Sequence, residues 1–257
     1  MIRPVIGIVG KYYNDKETGL WSNNYASQAL VDFINMHYSI PIIIPLHANT
    51  YDPDIDYERY DDIKTGPSTE DDEVLKNMIL MCDGIILQGG TNSSYMEPRI
   101  AQLCMHYDIP ILGICAGFNN IARAIADVPL RKLTRDDNAF WHHCKNYADY
   151  RHHISISHDT YLYNLLNCKK ISVNSIHEMV LDYDAVKDNH NIEAMAICDS
   201  DRTVEAFRVK DSTYAVALKW HPELMKSNRY SNKILKDFID QCKEYHVSAI
   251  QRSLIIG

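Results

Sequence analysis

A cysteine in the segment Gly113–Gly117 (GICAG) stands at the end of an apolar run and directly before a helical pattern. This order of strand, reactive side chain and helix is typical of a nucleophile elbow, in which a sharp turn exposes the nucleophile. The N-terminal end of the helix would stabilise a thiolate at Cys115, and the N–H of Ala116 would point toward a developing oxyanion. The segment therefore predicts a cysteine nucleophile, with a buried structural cysteine as the alternative.

His221 and Glu223, in the segment WHPE after a strand-like run, are the residue types that such a thiol needs. A nucleophilic cysteine requires a base, and the base requires an acceptor that orients it. In an extended backbone, residues two apart point to the same side, so that the carboxylate could reach the imidazole. We predict a His221–Glu223 pair on this basis. The alternative is a helix-capping or surface His-Pro pair.

A Gly-Gly turn, Gly89-Gly90, ends another apolar run. Ligands of open α/β sheets bind at the carboxyl ends of the strands, and a glycine there can offer its backbone N–H to an oxyanion. A simple turn is the alternative. Because this turn, Cys115 and the His221–Glu223 pair would all lie at the same edge of the sheet, together they favour a thiol-dependent hydrolytic site.

The N-terminal half alternates short β-branched runs with helical patterns. We predict strands at residues 4–10, 40–46, 84–87 and 109–114. We predict helices from Ser22 to about Tyr38, from Ser68 or Thr69 to about Met81, from Glu97 to Tyr107, and from the nucleophile turn to about Ala126. Intervening helices of this length favour parallel pairing through right-handed crossovers. The apolar strands fit a sheet that is covered on both faces.

From about residue 151 the pattern changes to strand-like segments with fewer helices between them. These segments are residues 153–157, 171–173, 192–197, 204–209 and 214–220, and a final helix is predicted from Asn228 to about Tyr245. The sequence contains neither a low-complexity linker nor an internal repeat. We therefore predict a single α/β domain over residues 1–257, with additional strands in its C-terminal half.

Composition and charge exclude several classes of protein. Hydrophobic residues make up 46% and charged residues 23% of the 257, which excludes a disordered or fibrous chain. The net charge of −8 argues against a nucleic-acid partner. The strongest apolar run, residues 40–46, is interrupted by two prolines and is too short to span a membrane. Seven cysteines without a C-x-x-C motif, and no signal peptide at the start, predict reduced thiols and a cytoplasmic location.

Residues 52–73 hold ten acidic and two basic side chains, a net charge of −8, and so carry the whole negative balance of the chain. We interpret them as a solvated acidic loop that runs into the start of a helix, where acidic side chains are favoured. The alternative is a loop that attracts a cationic substrate or partner.

A second unusual stretch is rich in metal-ligating residue types. It contains His142, His143, Cys144, His152 and His153. The spacing is not that of a zinc site. We therefore predict no metal, and we interpret the stretch as a loop and a strand near the rim of the active site.

Five motifs occur in order along the chain. They are GIILQGG at residues 84–90, IPILGICAGFNNIARA at 109–124, VNSIH at 173–177, EAF at 205–207 and ALKWHPE at 217–223. In this combination the chain resembles the class I glutamine amidotransferase-like family, and within it the γ-glutamyl-γ-aminobutyrate hydrolase type. The resemblance covers roughly residues 4–10 and 83–223. It implies a flavodoxin-like α/β fold with a mostly parallel sheet flanked by helices.

The resemblance also implies roles for individual residues. It places a catalytic triad on Cys115, His221 and Glu223, with Gly90 and Ala116 as oxyanion donors. The residues expected to bind substrate, or to lie near its pocket, are Gly89, Asn119, Asn174, Ser175 and His177.

Three features depart from the family pattern. The chain has Asn119 where the family usually has Gln, and Lys219 where the family prefers Gln. The loop from Thr91 to Met96 is short, whereas the acidic segment 47–69 is unusually long. These departures leave the leaving group of the substrate undetermined.

The resemblance implies hydrolysis of a γ-glutamyl amide through a γ-glutamyl thioester on Cys115, with no metal and no organic cofactor. The expected substrate is a small γ-glutamyl amide or glutamine. One alternative is a glutaminase subunit that delivers ammonia to a separate synthase. Another is a catalytically silent binding module on the same fold. Either a homodimer or a complex with a synthase is compatible with the sequence.

Overall fold

Nine strands form one sheet in the part of the chain that the computed structural model describes, residues 3–14, 22–47, 50, 69–91, 93–125, 128–133 and 152–256. From one edge to the other they are β4 (Ile40–Ile44), β1 (Val5–Val9), β5 (Gly84–Leu87), β6 (Ile111–Ile114), β13 (Ala215–Leu218), β12 (Val204–Val209), β11 (Ile192–Cys198), β8 (His152–Ile156) and β9 (Lys170–Val173). The strands from β4 to β13 pair in parallel, and those from β12 to β9 add antiparallel pairs. The predicted α/β fold with additional C-terminal strands is thereby confirmed.

Helices cover both faces of this sheet. They are α1 (Gln28–Met36), α2 (Thr69–Leu80), α3 (Met96–His106), α4 (Ala116–Arg123), α5 (Tyr161–Leu166), α6 (Tyr183–Val186) and α7 (Arg229–Ile256). Apolar side chains of α1, α5 and α7 pack in one buried cluster, and those of α2, α3, α4 and α6 pack in another. Because both faces are covered, the central strands β5 and β6 consist of buried residues only.

The predicted start of the first helix at Ser22 is wrong. Residues Ser22–Tyr25 form β3, which pairs antiparallel with β2 (Lys11–Asn14), and the helix begins at Gln28. The buried Gln88 side chain explains the difference, because its amide N–H groups donate to the carbonyls of Val9 and Tyr25, both at 2.9 Å. Its oxygen accepts from the N–H of Ser27 at 2.8 Å. These tertiary contacts hold the chain extended up to the start of α1.

The C-terminal helix continues to Ile256, beyond its predicted end at Tyr245. His246 anchors the additional turns, since its Nδ1 lies 2.8 Å from Oδ1 of Asp83. A further short antiparallel pair, β7 (Arg131–Lys132) with β10 (Met179–Val180), went unpredicted because two-residue strands carry almost no periodic signal. Among the described helices, none combines the length and the apolar character that crossing a membrane requires.

Part of the acidic segment lies in α2. Asp72 forms a bidentate hydrogen bond with Arg99 of α3, at 2.9 and 2.6 Å, so this acid joins two helices. Residues 52–68 of the segment lie outside the described residues, as do His142, His143 and Cys144. The six described cysteines carry free thiols. The organisation of residues 1–257 as one domain stays a prediction.

A buried ion pair supports the loop that follows β5. Lys11 Nζ lies 2.7 and 2.9 Å from the two carboxylate oxygens of Glu97, and both side chains are fully buried. Asn120 of α4 donates to the same carboxylate at 2.7 Å, and the N–H of Ser94 donates to it at 3.0 Å. The Lys11 stem also packs on Gly90, where an added Cβ would come within 3.1 Å of the lysine Cγ. The pair thus links β2, α3, α4 and the Gly-Gly turn.

We predict that Lys11→Met lowers the free energy of unfolding by about 3–5 kcal/mol, because it leaves the Glu97 carboxylate buried without its cation. The double variant Lys11→Met/Glu97→Gln should recover part of this loss, since the glutamine carries no charge. Urea denaturation at neutral pH measures both effects.

Lys236→Met is the matched control, because Lys236 forms an exposed ion pair with Asp240 one helical turn away. Its expected cost is below about 1 kcal/mol. A double variant that is less stable than Lys11→Met would contradict the explanation by uncompensated charge.

Candidate active site

Cys115 occupies a strained turn between β6 and α4. Its backbone angles are φ 53° and ψ −99°, which a non-glycine residue rarely adopts. The Cys115 N–H donates to the carbonyl of Leu218 in β13 at 2.8 Å, so the neighbouring strand fixes the turn. At Gly117 an added Cβ would overlap the carbonyl oxygen of Leu87, and only glycine lets the helix approach β5 this closely. The geometry is that of a nucleophile elbow.

The side chains of His221 and Glu223 meet after β13. His221 Nδ1 lies 2.8 Å from Oε1 of Glu223, and both residues are buried. The expected extended backbone is wrong, because Pro222–Leu224 form a 3₁₀ turn. Proline at its first position presets the backbone angle for such a turn. The turn, rather than the pleat of a strand, directs the carboxylate back to the imidazole.

Asn174 holds the backbone of His221. Its Oδ1 accepts from the His221 N–H at 2.9 Å, and its Nδ2 donates to the His221 carbonyl at 3.0 Å. Both ends of the amide therefore fix one peptide segment. The resemblance placed Asn174 near the substrate pocket, and the structure adds that its side chain orients the histidine.

Charges of opposite sign stabilise each other at this site. Burial alone would raise the pKa of Cys115, but the His221 imidazolium and the Lys219 ammonium outweigh burial and lower it. Burial alone would lower the pKa of His221, but the Glu223 carboxylate and the Cys115 thiolate raise it well above its ordinary value. A thiolate–imidazolium pair is the state that these shifts favour.

The Gly-Gly turn lies directly beside these side chains. An added Cβ at Gly89 would overlap the His221 ring and come within 3.3 Å of the Cys115 Cβ. Gly90 has φ 152°, a conformation that favours glycine. Ala116 is the first residue of α4 and follows the nucleophile. The structure therefore brings Gly89 and Ala116 next to Cys115, with Gly90 as the following residue of the turn, while their oxyanion and substrate-binding roles stay predictions.

The segment from Asn174 to His177 forms a wall next to the thiol. The carbonyl oxygen of Ile176 lies 3.6 Å from Cys115 Sγ. Ser175 and His177 are buried, and the Nε2 of His177 lies 3.5 Å from Oε1 of Glu205. The Ile176 contact puts the segment next to Cys115. Binding of substrate by Ser175 and His177 stays a prediction.

Glu205 is a buried acid to which the sequence motifs assign no role. Its Oε1 faces His177, and its Oε2 lies 3.5 Å from Nε2 of His152. Burial alone would raise the pKa of Glu205, but the His152 and His177 rings lower it. A signal was present in the sequence, because an acidic residue inside the buried strand VEAFRV needs a partner.

His152 and His153 point to opposite faces of β8, as successive strand residues do. His152 is buried near Glu205, whereas His153 is exposed and shares a 2.7 Å hydrogen bond with Ser172 Oγ. Across the described ranges, no cluster of three or more His, Cys, Asp or Glu side chains has a metal-binding arrangement.

A family model supplies the decisive comparison, since the model of Peptidase C26 matches residues 65–223. The chain belongs to the Peptidase C26 family. This membership confirms the resemblance to class I glutamine amidotransferase-like proteins. Gamma-glutamyl-gamma-aminobutyrate hydrolase PuuD of Escherichia coli (strain K12) is 29% identical over 166 residues, which are 61% of this chain and 63% of that protein. The same figures hold for the gamma-glutamyl-gamma-aminobutyrate hydrolase of Shigella sonnei (strain Ss046). The match thus spans less than two thirds of either relative.

Solved structures share the fold of this Peptidase C26 chain at low identity. A putative GMP synthase subunit of Thermoplasma acidophilum has a TM-score of 0.59 and 17% identity, covering 98% of this chain and 99% of that one. The glutaminase domain of Trypanosoma brucei CTPS, with bound acivicin, has a TM-score of 0.63 and 16% identity, covering 94% of each chain. A glutamine amidotransferase of Thermotoga maritima has a TM-score of 0.53 and 11% identity, covering 95% and 98%.

For this Peptidase C26 member we predict that iodoacetamide labels Cys115 at about pH 6.5 faster than it labels Cys82 or Cys198. The pKa of Cys115 is lowered, so its thiolate persists to lower pH, whereas burial raises the pKa of Cys82 and of Cys198 to about 12. Mass spectrometry of separated peptides measures each thiol by itself.

His221→Ala removes the imidazolium, and labelling of Cys115 at about pH 6.5 should then fall about tenfold. As the pH rises above about 9 the difference from the wild type should narrow, because the thiol of the variant begins to ionise while that of the wild type is already ionised. Equal labelling of Cys115 in both proteins at the lower pH would contradict the thiolate–imidazolium pair.

Proposed function

We propose that this chain is a cysteine-dependent hydrolase of γ-glutamyl amides. The observation that carries the proposal is the buried Cys115 in a strained elbow, beside a histidine that Glu223 orients at 2.8 Å. Membership in the Peptidase C26 family supports hydrolase chemistry, and the two curated relatives are named for the hydrolysis of a γ-glutamyl amide.

The first half-reaction forms a γ-glutamyl thioester. The Cys115 thiolate attacks the δ-carbonyl carbon of the substrate, and the carbonyl oxygen becomes an oxyanion that the N–H groups of Gly90 and Ala116 stabilise. The His221 imidazolium gives its proton to the leaving nitrogen. The C–N bond then breaks, and the free amine departs.

The second half-reaction hydrolyses the thioester. Neutral His221 takes a proton from water, and the resulting hydroxide attacks the thioester carbonyl. The same backbone donors stabilise the second oxyanion. The C–S bond breaks, glutamate leaves, and the thiolate–imidazolium pair is restored. Glu223 accepts a hydrogen bond from the histidine throughout and keeps the ring in one orientation.

The fold likeness to the glutaminase domain of Trypanosoma brucei CTPS keeps a second candidate in consideration. In that case the chain is a glutaminase subunit, and the ammonia released by the first half-reaction passes to a separate synthase. Both candidates use the same residues and the same thioester. They differ in the leaving group and in the need for a partner protein.

Release of free glutamate is the first test. We expect the wild type to hydrolyse at least one compound of a panel containing glutamine, γ-glutamyl-γ-aminobutyrate and a folyl-polyglutamate. Cys115→Ala should reduce turnover by at least about a thousandfold, because the covalent intermediate can no longer form. Cys168→Ala is the matched control, since Cys168 is a partly exposed cysteine that follows α5 and is expected to leave turnover unchanged.

The negative outcomes of this assay separate the candidates. No turnover alone, with glutaminase activity that appears only on addition of a synthase, would establish the partner-dependent subunit. No turnover, together with a Cys115 that resists a thiol-reactive glutamine analogue, would overturn both and leave a binding module.

We predict that Asn174→Ala lowers kcat about tenfold to a hundredfold with little change in KM, because His221 loses both hydrogen bonds that fix its backbone. Steady-state kinetics with the substrate found above measures the two constants. The exposed Asn164→Ala serves as the control and should match the wild type. An Asn174→Ala variant that raises KM and keeps kcat would instead indicate direct substrate binding.

A further inference from the structure

The two side chains that depart from the family pattern, Asn119 and Lys219, touch each other. Lys219 Nζ donates to Oδ1 of Asn119 at 2.6 Å, although the residues are 100 positions apart in the chain. Both residues are buried. A long cation and a short amide thus occupy together the two positions at which the family usually has glutamine.

Backbone hydrogen bonds tie the neighbourhood of both residues to Cys115. Lys219 directly follows Leu218, whose carbonyl accepts the Cys115 N–H at 2.8 Å. Asn119 lies one helical turn after Cys115, and its N–H donates to the Cys115 carbonyl at 3.3 Å. The hydrogen bond between Lys219 and Asn119 therefore joins the end of β13 to the first turn of α4, near Cys115.

The charge of Lys219 has no carboxylate in direct contact within the described residues, where Asn119 is the hydrogen-bond partner of its ammonium. This differs from Lys11, which both oxygens of Glu97 neutralise. The Lys219 ammonium lies 4.7 Å from the centre of the Phe118 ring, which favours a cation. A neutral amide and an aromatic face hold the lysine in place and leave its positive charge available.

Three other charged or titratable groups act on Lys219, namely Cys115, Glu205 and Arg123. Beyond Glu205 are the His152 and His177 rings.

We propose that Lys219, held by Asn119, is a positioning residue that helps to keep Cys115 in its thiolate form, as a second cation in addition to His221. The inference rests on the proposed function in taking Cys115 as the nucleophile. A cation near a buried thiolate interacts strongly because little water screens the charges. It favours attack by Sγ, and it favours departure of Sγ when the thioester is hydrolysed.

The electrostatics of the site agree with this role. Burial lowers the pKa of Lys219 to about 8, while the Cys115 thiolate and the Glu205 carboxylate act in the opposite direction. The lysine therefore stays protonated in neutral solution. Of the two cations that lower the pKa of Cys115, His221 has the larger effect and Lys219 the smaller.

The test is the pH profile of Cys115 alkylation by iodoacetamide in Lys219→Gln and Lys219→Met. We expect the midpoint to move to higher pH in both, with labelling at about pH 6 reduced about fivefold to tenfold. Above about pH 9 the rates should converge with the wild type, which general damage to the fold would not produce. Lys219→Gln restores the residue that the family prefers, and circular dichroism verifies that each variant is folded.

Two further variants bracket the result. Lys219→Arg keeps the charge and should label at about pH 6 at the wild-type rate, whereas the exposed Lys210→Met should leave the whole profile unchanged. Folded Gln and Met variants with the wild-type profile would overturn the role of Lys219 while Cys115 remains a low-pKa nucleophile. A wild-type Cys115 with the profile of an ordinary thiol would overturn the proposed function together with the inference.

Discussion

A negative charge on a buried sulfur is the constraint on which the rest of the site depends. Burial at Cys115 opposes ionisation, so the thiolate exists only because positive charge stands beside it. The His221 imidazolium supplies the largest share, and Glu223 in turn keeps that ring charged. The first turn of α4 adds the positive end of a helix. These groups must be placed before the thiol can react, and the segment that carries both His221 and Glu223 lies far along the chain from Cys115 and α4.

The sheet provides that placement. β5, β6 and β13 lie side by side and parallel, so their carboxyl ends bring the Gly-Gly turn, Cys115 and His221 to one edge of the sheet. Parallel neighbours of this kind require helical crossovers, which cover both faces and exclude water from the site's base. The strained backbone of Cys115 persists because β13 and the closely packed α4 hold it from two sides.

Buried charges recur around this edge, and each is compensated in its own way. Lys11 and Glu97 form an ion pair that packs against the Gly-Gly turn. The His152 and His177 rings each lie 3.5 Å from a carboxylate oxygen of Glu205. Such groups contribute less to stability than apolar residues of the same size would, because desolvation offsets most of the attraction. Lys11 packs against the Gly-Gly turn and Glu205 lies beside His177, so both charges border segments that contact Cys115 or its neighbours.

Local patterns in the sequence determined the nine strands of the main sheet, most helices and the motif residues, because periodicity and residue type act over short distances. The strand Gly84–Leu87 coincides with its prediction, and Cys115 stands where the GICAG segment placed it. Three-dimensional contacts decided the rest. Hydrogen bonds from the Gln88 side chain hold Ser22–Tyr25 in an extended strand. A 3₁₀ turn, rather than an extended segment, brings Glu223 to His221. The Lys219–Asn119 contact joins residues 100 positions apart, and only the packing of β13 against α4 could bring them together.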